Sequence, residues 1–308
     1  MTPRFSLRVG ALRSSGEAPA GAPERIVVDR DMDRVDALRL GFGATVPIAP
    51  GDAAEVALDD QTVFTGTVTA VRPTHTGTEV QALGTTLALL RLRAPVGYER
   101  RDAGAIVRDL AERAGIETGT VEPGAVLPAD YLDGAVSAFH HARALADRFG
   151  FELYTDRRGR LMFHAPRPAA ATGHTYGRDL LTAAGTVRAP WLAPVVGGEG
   201  HMSSGGESSA HWLSTADLTG GTGGLLVLDP LARTQDLADR FARGYATTWR
   251  RRLKQVRLRV PGNARLDLGE RVRLTGFAEF GGGYARAVRH TVGPRPGWTT
   301  EITVQGET

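Results

Sequence analysis

The chain has 308 residues, enough for about two domains and for a core that needs no disulfide or metal to fold. Hydrophobic residues make up 42% and charged residues 23%, values typical of a globular protein, so a disordered chain, a coiled coil and collagen are excluded. It has no cysteine, which excludes disulfide scaffolds, thiolate metal sites and cysteine nucleophiles, and its net charge of +3 does not by itself indicate nucleic acid.

Residues 1–97 are predicted to form a first β-barrel-like domain. Phe5, Leu7 and Val9 alternate with polar residues, which is the period of a half-buried strand. Asp59 and Asp60 form a predicted hairpin turn. The strand after it alternates small and apolar residues with threonines, which suit a pleated surface.

Residues 98–168 are predicted to form a small α+β insert of two helices and a hairpin. Asp102 caps a helix that Gly115 ends, and Ser137 caps a second helix that Gly150 ends. The hairpin turns at residues 157–159.

Residues 169–308 are predicted to form a second β-barrel-like domain. A Gly/Ser-rich segment over 197–228 is expected to be a flexible loop, and a helix capped by Thr234 is expected over 231–252. The remainder alternates as strands. The predicted fold is therefore mainly β, with two similar barrel-like domains flanking an α+β insert.

A weak internal repeat supports the two-barrel interpretation. The sequence that begins at Gly51-Asp52 resembles the one that begins at Gly269-Glu270, and residues 79–84 resemble residues 301–306. Residues 64–71 likewise resemble residues 284–291 in sequence. Any two antiparallel meanders share some of this likeness, and that alternative stays open.

Two patterns of metal-ligating residue types do not complete a site. Asp29, Asp31 and Asp33 begin like a calcium loop, but its glycine and final carboxylate are missing, so solvated charge at a strand edge is expected. His140 and His141 have no third ligand at helical spacing, so a solvated pair is expected. No cofactor or metal is predicted.

The segment from His201 to His211 contains Ser, Glu and His, the residue types of a hydrolase. It has no nucleophile-elbow motif, and a flexible loop does not hold a nucleophile and base in register. A peptidoglycan hydrolase is therefore kept as the alternative function.

Arginines at 257, 259, 271 and 273 alternate with apolar residues on two predicted strands, and they could form one basic face. Solvated strand faces and interfacial ion pairs are the more frequent use of this pattern. Because aromatic residues are only 6% of the chain, stacking platforms for nucleic acid are sparse, and no specific nucleic-acid partner is predicted.

The order of these elements resembles a known family. The strand over 63–68, the two helices and hairpin of the insert, and the closing sequence from Leu268 to Val272 with residues 284–290 and 300–306 are similar to phage late-control protein D and related contractile-tail hub proteins. The resemblance covers the chain except for about residues 190–228. Each motif alone is unspecific, and their order carries the likeness.

The resemblance implies a non-enzymatic baseplate hub. Such hubs are homotrimers whose two barrels per chain make six similar units, which join a six-fold inner tube to a three-fold spike. The internal repeat predicts the same six-fold arrangement, because two copies of the repeat in each of three chains make six similar units. The expected partners are other copies of the chain, the tube protein, a separate spike protein, since the chain ends after the last strand, and other baseplate proteins.

The expected contact residues follow from turn and strand positions. They are two turn acids, three aromatic residues of the second copy with one of the first, and two arginines: Asp59, Asp60, Phe64, Phe277, Phe280, Tyr284, Arg257 and Arg259. No apolar run of membrane-spanning length and no apolar segment near the N-terminus occur, so assembly in the bacterial cytoplasm without membrane attachment is expected.

Overall fold

The computed structural model describes residues 4–15, 21–167, 171–188, 193–201, 209–215, 224–277, 280–294 and 297–306. Half of the residues lie in strands and fewer than a fifth in helices, which confirms the mainly β fold. Among these residues, thirteen strands form one large sheet that curls into two barrel-like units, and three smaller sheets lie beside it.

The first barrel contains seven strands: β1 (Phe5–Val9), β2 (Leu12–Ser15), β3 (Arg25–Asp31), β4 (Ala37–Phe42), β5 (Ala53–Leu58), β6 (Gln61–Thr74) and β7 (Gly77–Gly84). They pair antiparallel in the order β3-β4-β7-β6-β5-β1-β2. Because side chains alternate across each strand, the apolar positions of all seven meet in one core, which includes Leu7, Val28, Leu38, Val56 and Phe64.

The insert contains three helices and five strands: α1 (Leu87–Arg91), β8 (Val96–Asp102), α2 (Ala103–Arg113), β9 (Thr118–Val121), β10 (Val126–Leu132), α3 (Ala138–Phe149), β11 (Glu152–Thr155) and β12 (Leu161–His164). The predicted caps are confirmed. The Asp102 carboxylate accepts from the Ala105 N–H at 2.8 Å, and Ser137 Oγ accepts from the His140 N–H. Gly150 ends α3 in the left-handed conformation. The β8–β10 ladder was not expected.

The described residues after the insert form nine strands and one helix: β13 (Thr172–Thr175), β14 (Thr182–Val187), β15 (Ala193–His201), β16 (Ser209–Thr215), β17 (Gly224–Leu228), α4 (Gln235–Leu253), β18 (Lys254–Pro261), β19 (Arg271–Thr275), β20 (Gly282–Gly293) and β21 (Gly297–Gly306). The segment 197–228 was expected to be a loop. Instead, β15 pairs with β16 and β17 in a separate sheet, because strand pairing overrides its Gly/Ser-rich composition. The rest of that segment lies outside the described residues.

Helix α4 packs with the insert. Thr234 caps it as predicted, accepting from the Leu237 N–H at 3.2 Å. Its apolar stripe, with Leu237 and Phe241, lies in the same core cluster as Phe139 and Leu145 of α3. The apolar face of α4 therefore packs against the insert, although α4 lies within residues 169–308 of the sequence.

The two barrels share the connectivity of five strands, although β1 pairs antiparallel with β5 and β13 pairs parallel with β19. The antiparallel order β14-β18-β21-β20-β19 of the second repeats the order β3-β4-β7-β6-β5 of the first. Each barrel also has one extra residue at the same place in its long strand, Thr69 in β6 and Arg286 in β20. Such a bulge bends the strand locally.

Backbone hydrogen bonds repeat as well. The Gly51 N–H donates to the Val68 carbonyl at 2.9 Å, and the Gly269 N–H donates to the Ala285 carbonyl at 2.8 Å. Both glycines have positive φ, which glycine adopts without steric cost. Because identical bonds join equivalent atoms in the two barrels, the internal repeat is a structural repeat.

One part of the predicted repeat alignment is wrong. The registers match Gly66 with Gly283 and Val71 with Val288, whereas the sequence comparison matched Val71 with Thr291. Alternation of period two indicates which face a residue occupies but not its register, and the bulge interrupts that period.

Candidate assembly surface

The two barrels meet at one strand pair, β20 with β3. Along one edge β20 pairs with β21. Its other edge is shared, with residues 282–284 pairing with β19 and residues 287–292 pairing with β3. The bulge at Arg286 lies between these two stretches. The junction thus fuses both barrels into one continuous sheet.

A row of alternating charges crosses this junction on one face of the sheet. Arg289 donates two hydrogen bonds to the Asp29 carboxylate, at 2.8 and 2.7 Å, and these bonds raise the pKa of the arginine above its ordinary value. On the far side of Arg289, Glu301 lies opposite it and 4.0 Å from Arg259. Arg257 is exposed on the same face of β18.

The arginines do not form a purely basic face. Arg257 and Arg259 lie on β18, while Arg271 and Arg273 lie on β19, which pairs with β20 and β13 and not with β18. β21 and β20 lie between the two pairs and Glu301 lies opposite Arg289, so the four arginines do not form one contiguous basic patch, and ion pairing is the use this face makes of Arg259 and Arg289.

Apolar side chains also cross the junction. Trp298 and Ala264 belong to the second barrel but are buried in the core cluster of the first. Met32 belongs to the first barrel and is buried in the core cluster of the second. The two barrels therefore share a hydrophobic boundary and are not simply tethered.

Arg30 connects three parts of the chain. Its guanidinium is almost fully buried and donates to Asp36 at 3.1 Å, to Asp267, and to the Thr155 carbonyl. Burial acts to lower the pKa of Arg30, but the attraction of Asp36 and Asp267 outweighs it and the pKa is raised. One side chain thereby links the first barrel, the hairpin of the insert and the second barrel.

Arg157, in the turn of that hairpin, repeats the connection. It donates to Asp267 at 2.9 Å, to Gln61 at 3.3 Å and to the Arg265 carbonyl. Glu270 lies 3.8 Å from it. Burial, reinforced by the neighbouring Asp267 carboxylate, raises the pKa of Glu270 to about 7, and Arg157 offsets this only in part.

The three aspartates near residue 30 are used in ion pairs and a turn, not as solvated edge charge. Asp29 binds Arg289, and Asp33 binds Arg143 at 2.7 Å and Arg286 at 2.8 Å. The Asp31 carboxylate accepts from the Asp33 N–H at 2.8 Å. No sequence signal identified their arginine partners, which are more than a hundred residues away.

Apart from Arg257 and Arg259, which lie on β18, the predicted contact residues are two turn acids and four aromatic residues. Asp59 and Asp60 form an exposed turn with both residues in the left-handed region, and Asp60 lies 3.4 Å from Arg4. This turn lines a cavity of about 580 Å³ with Gly262, Arg265 and Trp298 of the second barrel. The turn therefore lies beside the other barrel of the same chain.

The aromatic residues are less accessible. Phe64 is 2% exposed in the first core, so the contact proposal does not extend to it. Phe280 is also buried, and its ring lies 5.5 Å from that of Phe277 and directly against Gly185 of β14. Tyr284 is half-buried opposite Gln305.

The described residues contain no group of three or more potential metal ligands. His141 is not solvated, because its Nε2 lies 2.8 Å from the buried Asp130 carboxylate. His140 lies 2.8 Å from Ser137 Oγ. The side chains of the candidate hydrolase segment, His201 to His211, lie outside the described residues.

The fold is that of bacteriophage tail proteins and of hub-like proteins of type VI secretion. A tail protein from Neisseria meningitidis is similar over 100% of this chain and 97% of its own length, with a TM-score of 0.80 and 15% identity. A 43 kDa tail protein of a Shewanella oneidensis prophage is similar over 98% of each chain, with a TM-score of 0.74 and 15% identity.

A third similar structure belongs to secretion. The E. coli c3393 protein, a type VI secretion component described as similar to the T4 tail proteins gp27 and gp5, has a TM-score of 0.67 and 11% identity over 98% of this chain and 77% of its own. No family model matches the sequence, and no curated protein matches it in sequence. Within the described residues, no helix has the length and apolar character needed to cross a membrane.

Proposed function

We propose that this protein is a structural hub of a phage tail or phage-derived injection particle, and that it assembles as a homotrimer. One observation carries the proposal: two barrels of the same strand order are joined edge to edge in one sheet. Three such chains present six similar units, which suits contact with a six-fold tube, while the differences between the barrels leave a three-fold surface for a spike.

The proposed role is non-enzymatic. The similar structures are tail and secretion components, and the charged residues of the junction are satisfied by one another. A peptidoglycan hydrolase remains an untested alternative. Activity on purified cell wall that is lost in Glu207→Gln would support the hydrolase.

The test of the hub is a mass measurement followed by a binding assay. Native mass spectrometry over a range of concentrations is expected to give three times the 32.8 kDa chain mass. Immobilised protein is expected to retain the tube and spike proteins encoded in the same gene cluster. A monomer at every concentration that retains neither partner would refute the proposal.

A further inference from the structure

The two barrels differ in what covers one end of their sheets. We call this end the rim and follow three positions of it, matched by register and by backbone hydrogen bond: Gly51, Thr67 and Leu83 in the first barrel, and Gly269, Tyr284 and Gln305 in the second. The insert packs against the rim of the second barrel. The rim of the first barrel instead borders a cleft of about 830 Å³.

The rim of the second barrel is covered by strand β11 of the insert. A Cβ placed on Gly269 would lie 3.2 Å from Tyr154 Oη and 3.4 Å from Glu152 Oε2. Because residues two apart on a strand point to the same face, both side chains reach this rim together. Tyr154 also packs against the core cluster of the second barrel. One strand thus supplies a carboxylate and an aromatic ring to the rim.

The Glu152 carboxylate lies beside a basic helix end. Burial raises the pKa of Glu152, and the attraction of Arg251 opposes this rise without cancelling it. Arg251 belongs to the last turn of α4. The covered rim therefore combines an acid of the insert with an arginine at the end of a helix.

The rim of the first barrel is open by comparison. A Cβ placed on Gly51 would meet no atom of the described chain within 4 Å. Thr67 is exposed and Leu83 is half-buried, whereas Tyr284 is half-buried and Gln305 is 5% exposed. Among the described residues, nothing takes the place at this rim that β11 takes at the other.

The opposite wall of the cleft is formed by α1 and by the end of α2. Leu87, Leu92 and Ile116 make this wall largely apolar. Within the described chain, the charged residues that line the cleft are Arg91 and Arg113, each in the last turn of its helix, and no acid lines it. The open rim thus has basic helix ends beside it, as the covered rim does, but lacks the acid.

We propose that this cleft binds an extended segment of a second protein, in which a carboxylate and an aromatic side chain are two residues apart. The carboxylate lies beside Arg91 and Arg113, and the aromatic ring packs on Gly51 and Thr67. The segment does at the first rim what β11 does at the second.

The occupant is a different protein and not β11 of a neighbouring copy. Glu152 is 6% exposed and lies against Gly269 of its own chain, and β11 is paired with β12 along its length. This strand could not cover a neighbour's cleft without leaving its own barrel. The cleft lies within one chain, so the proposal goes beyond the hub role and does not depend on the number of copies in the assembly.

The first experiment is an NMR titration with a peptide copy of β11. The probe is the capped hexapeptide FELYTD, residues 151–156, added to the ¹⁵N-labelled full chain. We expect saturable shifts of the Gly51, Thr67 and Leu83 amide signals. The peptide variant Glu152→Gln is expected to bind about two- to five-fold more weakly, as for an exposed ion pair. The peptide variant Tyr154→Ala should bind at least about ten-fold more weakly, because it loses a buried ring.

Each outcome of the titration decides the proposal. Saturable shifts at the first rim that weaken with both peptide variants support it. No saturable shift there, or equal binding of the three peptides, overturns it. Shifts confined to Gly269 and Tyr284 would show that the peptide only displaces β11, and they overturn it too. Shifts at Gly51 that follow protein concentration without peptide would assign the cleft to a second copy and overturn the proposed partner.

The second experiment exchanges the charges across the cleft. Arg91→Glu is expected to raise the dissociation constant of the unchanged peptide by about two- to five-fold and to lower that of the peptide variant Glu152→Arg by a similar factor. Arg39→Glu, at an exposed position of β4 that does not line the cleft, is the matched control and should change neither value. Equal effects of the two protein variants would overturn the placement of the carboxylate beside Arg91.

Discussion

Arg289 holds the Asp29 carboxylate with two hydrogen bonds of 2.8 and 2.7 Å, although the two residues are 260 positions apart in the chain. This pair lies directly opposite across the strands that join the barrels. The stability that this ion pair contributes is therefore a measure of whether β20 and β3 are paired.

We expect Asp29→Asn to lower the free energy of unfolding by about 1 kcal/mol, since the pair is partly exposed. Arg289→Asp combined with Asp29→Arg should recover part of this loss. Urea titration of Asp29→Arg, of Arg289→Asp and of the double variant that combines them gives the coupling energy. A coupling energy of zero would show that the pair does not stabilise the junction.

Arg30 is expected to be far more sensitive. Arg30→Met leaves the buried Asp36 carboxylate without its cationic partner and Asp267 with Arg157 alone, and we expect a loss of about 3–5 kcal/mol. The matched control is Arg240→Met, which breaks an exposed helical pair with Asp236 and should change stability by less than about 0.5 kcal/mol. Similar losses in the two variants would contradict the role of Arg30.

The repeat predicts matched effects at equivalent glycines. A Cβ at Gly66 would overlap the Leu83 carbonyl, and one at Gly283 would overlap the Gln305 carbonyl. Alanine at either position should therefore destabilise the protein by about 1–3 kcal/mol. Gly281→Ala, where a Cβ meets open space, is the control for thermal unfolding. A loss at only one of the two equivalent glycines would argue against equivalent packing.

The raised pKa of Glu270 predicts that the stability of the protein depends on pH. Because its pKa is raised from 4.5 to about 7, the folded state binds its proton more tightly than the unfolded state. The contribution is fully present below about pH 4.5 and is lost as pH rises through about 7. The melting temperature of Glu270→Gln minus that of the wild type should therefore increase between these pH values. A difference that does not change with pH would contradict the raised pKa.

Local features of the fold were predictable from the sequence. Asp102, Ser137 and Thr234 were identified as helix caps, because a cap depends on a side chain and an N–H only three residues away. The Asp59-Asp60 turn follows from the same kind of local chemistry. The strand alternation and the order of elements also indicated the mainly β class.

Features that depend on pairing were not predictable. The composition of 197–228 indicated a loop, but β15 supplies neighbours for β16 and β17. The sequence comparison identified the repeat but aligned one pair of strands in the wrong register, because several alignments fit an alternation of period two. The buried position of Phe64 depends on which face of the barrel closes inward.

Caps, turns and apolar periodicity are encoded within a few residues, so reading the chain was enough to derive them. The partners of Arg30 and the pairing of β20 with β3 join positions up to 260 residues apart. Such contacts exist only after the sheet has formed. The backbone N–H and C=O groups at a strand edge are the same in every strand, so they do not specify which strand will pair there. The tertiary structure therefore decided how the two barrels are joined.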